Sequence, residues 1–188
     1  MKKTFKTLFS LSMAACILAA PAQAYAATPE TVEIQEINVT PEQLSDGVTV
    51  LLTFNDDGTY NQSVYTDESA VPIPTADGEL EWATFHLGFK DWNNDTGDLY
   101  FTVSADEAMR KVSGDAYVKS TSVLFPTYYY DDSFSENLYS SYNTSRTLAT
   151  DVDTEDETKV RVGFKNVILY TTAGDTGSFS NSSQIVSR

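Results

Sequence analysis

His86 is the only histidine in this chain of 188 residues, and it stands between Phe85 and Leu87 in an alternating apolar run. Alternation turns it away from the face that Phe85, Leu87 and Phe89 share. An imidazole works as a general base when a nucleophile and an orienting acid stand beside it, and no motif such as Gly-x-Ser-x-Gly supplies them here. Zinc asks for more nitrogen or sulfur ligands than one imidazole provides. The expectation is a chain with no catalytic residue. The 27 Asp and Glu residues offer many formal carboxylate pairs, the groups glycoside hydrolases use, but their abundance makes any one pair nonspecific. A small secreted carboxylate-dependent glycoside hydrolase therefore stands as the alternative, not the leading reading.

Calcium is the one ion the spacing suits. Asp91, Asn93, Asp95 and Asp98 place oxygen ligands at close intervals in Asp91-Trp92-Asn93-Asn94-Asp95-Thr96-Gly97-Asp98, and Asp151, Asp153, Glu155 and Glu157 form a second alternating set. Neither completes an EF-hand: Thr96 holds the glycine position and Thr102 stands where the bidentate glutamate belongs. Ordinary hairpin turns and a solvated acidic loop account for both stretches more simply. No other cofactor is called for.

Aromatic chemistry offers a binding surface. The run Tyr128-Tyr129-Tyr130-Asp131-Asp132, together with Trp92, Tyr139 and Tyr142, combines ring faces that stack on sugars with carboxylates that bond their hydroxyls. Consecutive tyrosines on a strand cannot all face inward, so at least one is left exposed or at an edge. The ligand candidates are Trp92, Tyr128, Tyr129 and Tyr130, and the partner they suit is an extracellular glycan or protein. Lys90, Lys119 and Lys165 raise the idea of a covalent crosslink to Asn or Asp, but the spacing supplies no pair.

These residues fall on short alternating segments separated by Gly, Asn, Asp and Ser clusters, the pattern of an antiparallel all-β protein. We expect a single antiparallel β-sandwich, Ig-like or jelly-roll-like, with at most one or two short helical turns. Val48, Val50, Leu52 and Phe54 share a strand face ending at the turn Asn55-Asp56-Asp57-Gly58, and Tyr60 to Thr66 returns. Leu80 to Phe89 and the segment bearing Leu99, Phe101 and Val103 form the next pair, joined by Asn93 to Gly97. Asp106 to Lys111 is a charged corner suited to one helical turn, and Tyr117 to Phe125 reads as a strand. Thr40 to Gln43 resembles a capping box on a short connector.

Val160, Val162 and Phe164 share one parity while Val167 and Leu169 share the other, which predicts a β-bulge near Lys165-Asn166. The same change occurs at Phe89-Lys90-Asp91-Trp92. The two places also read alike, Leu87-Gly88-Phe89-Lys90-Asp91-Trp92 against Val162-Gly163-Phe164-Lys165-Asn166-Val167, though six residues do not establish a repeat. Residues 131–158 read as a polar, acidic excursion with a strand around Leu138 to Leu148, and Gly174 to Ser183 reads as a small polar tail.

Lys2, Lys3 and Lys6 precede an apolar run of 13 residues from Leu8 to Ala20, followed by Pro21 and the small-residue sites Ala22-Gln23-Ala24 and Ala24-Tyr25-Ala26. That is the layout of a secretory signal peptide over 1–26, cleaved near Ala26, and the run falls short of the roughly 20 residues a membrane helix needs. Acylation at Cys16 is the less economical reading. The expected product is one domain over 27–188, secreted or cell-surface, free of cysteine and held by packing alone. With 12 basic against 27 acidic residues the chain carries −15, and losing three lysines makes the remainder more acidic. Such a field repels phosphate backbones and anionic headgroups, so we expect no nucleic-acid partner and no membrane insertion of the mature chain. The Lys-rich leader looks bacterial, which makes the five Asn-x-Ser/Thr sequons a matter of composition. A self-associating structural surface protein is a further alternative.

Overall fold

The computed structural model describes residues 45–55, 57–66 and 81–188, and the leader, the Thr40 capping box and Leu80 lie outside them. Eight antiparallel strands follow in order: β1 (Gly47–Phe54), β2 (Tyr60–Tyr65), β3 (Trp82–Asn93), β4 (Thr96–Ser120), β5 (Tyr128–Asp153), β6 (Lys159–Thr171), β7 (Thr176–Phe179) and β8 (Ser182–Ser187). They form one sheet in the order β2-β1-β3-β4-β6-β7, with β5 paired to β4 and β8 to β6. The all-β antiparallel class is as expected. In place of two separate sheets, however, a single sheet curls into a half-barrel.

The reason lies in β4 and β5, which are 25 and 26 residues long. β5 follows β4 along its length, leaving the opposite edge of β4 to β3 over Thr96–Ala105 and to β6 over Met109–Ser120. Between these halves the ladder breaks. Four residues of β4, 105–108, oppose Tyr142 alone, and across from Arg110 three residues of β5, 138–140, loop out with Tyr139 and Ser140 at φ 52° and 62°. Extra residues on both strands bend the hairpin and bring its halves face to face. The charged segment at Asp106 is thus a corner built from a wide bulge in extended chain, where one helical turn was expected.

Apolar residues of alternate parity fill the inside of the curl. Val48, Val50, Leu52, Phe85, Leu87, Leu99, Phe101, Val103, Val160, Val162 and Phe164 are all fully buried. Phe85 stands at the centre, edge-on to Phe164 of β6 at 4.9 Å and within 6.0 Å of Phe101, Phe134 and Phe179. Contacts between aromatic rings of five different strands hold the limbs together.

Both parity changes are β-bulges. Asp91 and Trp92 lie between Lys90, paired with Asp98, and Asn93, paired with Thr96, so two residues oppose Gly97. Asn166 and Val167 likewise oppose Gly114, between the pairs Lys165 with Asp115 and Ile168 with Ser113. Asp91 and Asn166 have φ 53° and 54°, the left-handed region that short polar side chains tolerate best after glycine. The likeness extends to the partner strand: Thr96-Gly97-Asp98-Leu99-Tyr100 faces the first bulge and Ser113-Gly114-Asp115-Ala116-Tyr117 faces the second. Tyr100 pairs with Gly88 and Tyr117 with Gly163, and each ring lies where a Cβ on the glycine would go. Lys90 and Lys165 then set their ammonium groups over those rings at 5.1 and 5.0 Å.

Three further segments depart from expectation. The strand expected over Tyr117 to Phe125 ends at Ser120. Ser120 and Thr127 exchange backbone and hydroxyl hydrogen bonds of 2.8 and 3.0 Å, and Ser122 Oγ accepts from the Phe125 amide at 3.3 Å, so local serine bonds and Pro126 replace the ladder. The acidic excursion is strand as far as Asp153. Among the described residues β5 pairs only with β4, and an edge strand wetted on both faces takes polar residues while Phe134, Leu138 and Val152 reach the core. The polar tail pairs too, with Phe179 of β7 opposite Val167 and Ser182–Ser187 along β6.

Candidate ligand-binding end

The β3–β4 turn, the start of β5 and the β5–β6 loop meet the chain's last residues at one end of the half-barrel. The bulge at Asp91 returns Trp92 to the core-facing side, where its indole meets Phe89 at 5.4 Å and 65°. Indole Nε1 donates to Thr154 Oγ1 at 3.1 Å, and that hydroxyl donates to the Asp95 carbonyl at 2.8 Å. Thr154 is fully buried and clamps the β5–β6 loop to the turn. Its carbonyl accepts from the Glu157 amide at 3.2 Å, and Glu157 Oε1 accepts from the Tyr129 hydroxyl at 3.3 Å. Burial first, then the carboxylate of Glu157, pushes the Tyr129 phenol up to about 12. Arg188 lays its guanidinium over the Trp92 ring at 5.8 Å and reaches Asp95 Oδ1 at 3.4 Å.

Trp92 and Tyr129 are therefore joined through Thr154 and Glu157, with two carboxylates and a guanidinium around them. Tyr128 points to the other side of the strand, exposed, against Tyr117 at 6.2 Å with Lys119 over both rings at 5.0 and 5.3 Å. Tyr130 turns inward, where burial raises its phenol. Of the calcium candidates, Asp95 is engaged by Arg188, Asp98 Oδ1 accepts the Asp151 amide at 3.1 Å, and Asp91 and Asn93 are exposed. Among the described residues no three His, Cys, Asp or Glu side chains gather closely enough to hold a metal ion. Lys90, Lys119 and Lys165, considered above for crosslinking, each stand over a tyrosine ring.

His86 has partners that no local motif announced. Thr49 lies opposite it in the β1–β3 register, and Thr49 Oγ1 meets Nδ1 at 2.9 Å. Tyr100 donates to Asp46 Oδ2 at 2.9 Å, which leaves Nε2–H to serve the Tyr100 oxygen at 3.2 Å, with Asp46 Oδ1 3.3 Å from Nε2. Burial, followed by Asp46, pushes the Tyr100 phenol up strongly. This hydroxyl, imidazole and carboxylate line resembles a nucleophile relay only in outline, since Thr49 is 0% and His86 4% exposed. It pairs Thr49, His86 and Tyr100 under cover. Thr154, Arg188, Asp46 and Thr49 were all missed by local reading because they join these sites through pairing distant in sequence.

Compared with protein-family models, curated proteins and solved structures, the chain matches none.

Proposed function

We propose that this is an exported, non-enzymatic β-protein of bacterial type that binds an extracellular glycan at the end formed by Trp92, Tyr129 and the acidic turns. Its curled sheet serves as a sandwich-like scaffold. The observation that supports the reading best is the hydrogen-bonded run from Trp92 through Thr154 and Glu157 to Tyr129, which fixes two aromatic rings beside Asp95, Glu157 and Arg188. Fixed rings give stacking area at low entropic cost, and the ionised groups match sugar hydroxyls. The burial of Thr49 and His86 favours binding over hydrolysis. Glycan and protein arrays probed with the native chain and with Trp92→Ala and Tyr129→Ala variants test it. We expect a glycan signal weakened about tenfold or more by either change. Absence of any glycan signal, or a signal indifferent to both substitutions, overturns the reading.

A further inference from the structure

The β4–β5 hairpin ends in Val123-Leu124-Phe125, whose side chains are 88%, 82% and 85% exposed. Single apolar residues at a surface need no explanation, but three in a row on a hairpin tip form a patch that gains only when something apolar covers it. The loop is closed by the hydrogen bonds of Ser120 and Thr127 and by Ser122 on the Phe125 amide, and none of the three side chains packs back on the protein. Consecutive side chains on a turn splay apart. One wall of a protein groove cannot receive all three, whereas hydrocarbon takes them from any direction.

Directly behind the tip lie tyrosine rings and cations. Lys119 pairs in register with Arg161, and Lys159 lies one step nearer the tip, beside the pair Ser120 with Val160. The rings of Tyr128 and Tyr117 sit beneath the Lys119 ammonium. Only nine Lys and Arg follow the leader, 12 less Lys2, Lys3 and Lys6, so this gathering of three is a local reversal of the chain's acidity. Asp131, opposite Tyr117, Asp132, opposite Ala116, and Asp115, opposite Lys165, are acids on the same stretch of these strands, and Glu155, Asp156 and Glu157 occupy the β5–β6 loop. Along the strands Lys119, Arg161 and Lys159 stand nearer the tip than either Asp131 or Asp115. Apolar tip, tyrosines and then cations reproduce the succession of hydrocarbon, interface and anionic headgroup in a bilayer leaflet.

We propose that Val123, Leu124 and Phe125 insert shallowly into an anionic lipid bilayer, with Tyr128 at the interface and Lys119, Lys159 and Arg161 on the headgroups. Depth is limited by the loop's backbone polar groups, which must stay in contact with water or headgroups. Net charge argues against membrane contact for the molecule as a whole, and this face is the exception. The inference is independent of the glycan site, since neither Trp92 nor Tyr129 enters it.

The test uses the full chain and vesicles of phosphatidylcholine alone or mixed with phosphatidylglycerol. A Phe125→Trp variant reports the tip itself, whatever residues 1–26 contribute to binding. With phosphatidylglycerol vesicles the introduced indole should shift to the blue and be quenched by lipids spin-labelled near the headgroup. Leu124→Ser in that background should weaken the response about tenfold or more, and Lys119→Gln about fivefold. Both sites are at the surface, and unchanged thermal melting will establish that the variants fold. An indole that remains in water with every vesicle, equal responses with and without phosphatidylglycerol, or indifference to Leu124→Ser overturns the proposal. Array binding to a protein that is lost on Leu124→Ser while the indole stays wet overturns it in favour of a protein partner.

Discussion

Replacing Gly163 by alanine should destabilise the fold through one ring. The added Cβ would stand 2.5 Å from Cζ of Tyr117 and 2.7 Å from Cβ of Ser183, distances at which a neighbour must move. Lifting a packed ring off the sheet costs about 1–3 kcal/mol, offset in part by the roughly 0.5–1 kcal/mol that alanine gains over glycine in a strand. Tyr117 also gives up its place beneath Lys119 and Lys165, whose ammonium groups each lie 5.0 Å from its centroid. In a Tyr117→Ala background the ring is gone and the two nearest contacts, both to the tyrosine, go with it, so the same substitution should cost about zero. The coupling is then about 1–2 kcal/mol, well above the few tenths expected of independent sites. Urea unfolding of the four proteins in the cycle measures it. With a slope of about 1–3 kcal/mol per molar, the single variant's midpoint falls by roughly half a molar or more while the slope holds. An equal loss in both backgrounds refutes the reasoning, because the glycine would then be required by something other than the tyrosine over it.

Phe85→Ala, which removes the ring that meets Phe101, Phe134, Phe164 and Phe179, should cost about 3–5 kcal/mol in the same assay. A loss below about 1 kcal/mol would mean the two limbs are not packed through it. The Tyr129 phenol, pushed up to about 12, should appear at that pH in the absorbance difference between native protein and Tyr129→Phe, and Glu157→Gln should draw it back toward 10. Its folded value lies above the unfolded one, so the unfolded chain releases this proton first and stability falls as pH rises from about 10 to 12.

How far the sequence revealed this arrangement depended on the range of the signal. Alternation in Val48 to Phe54 and Ala83 to Phe89 needs only a strand's own neighbours, and these strands and their core faces were legible. The parity changes at Asp91 and Asn166 were legible for the same reason, since an inserted residue leaves its mark in the order of apolar positions. The curl was not legible. It depends on 105–108 and 138–140 bulging at corresponding places on two strands, a coincidence that exists only once the register is known. Reading 131–158 as an excursion with a strand only around Leu138 to Leu148 overvalued composition, because an edge strand draws its hydrogen bonds from one neighbour and needs few apolar residues. Val123 to Phe125 misled in the opposite direction: apolar, β-prone residues suggested a strand, while Ser120, Ser122 and Pro126 carried the turn. Trp92 and Tyr129 were named as ligand candidates, but the threonine and glutamate that join them sit 62 and 28 positions away along the chain.

The two bulged strand pairs bear on how β4 chooses its partners. Gly97-Asp98-x-Tyr100 and Gly114-Asp115-x-Tyr117 lie on the same strand, and the segments they face, 87–92 and 162–167, lie on different ones. In the first pair the bulged strand precedes its partner and in the second it follows, so copying a hairpin in tandem would not produce both. A shared steric demand explains them better. A tyrosine laid over glycine needs a bare position opposite, a lysine two residues on can then cover the ring, and an Asp or Asn at positive φ restores the apolar parity beyond it. Because the two halves of β4 carry the same code, β3 would also fit Met109–Ser120. The turn at Asn94-Asp95 excludes that pairing, since it leaves β3 no chain with which to reach any but the nearer half. Connection length therefore does the discriminating that side chains cannot, and lengthening this turn is the change that would put the register of the whole curl at risk.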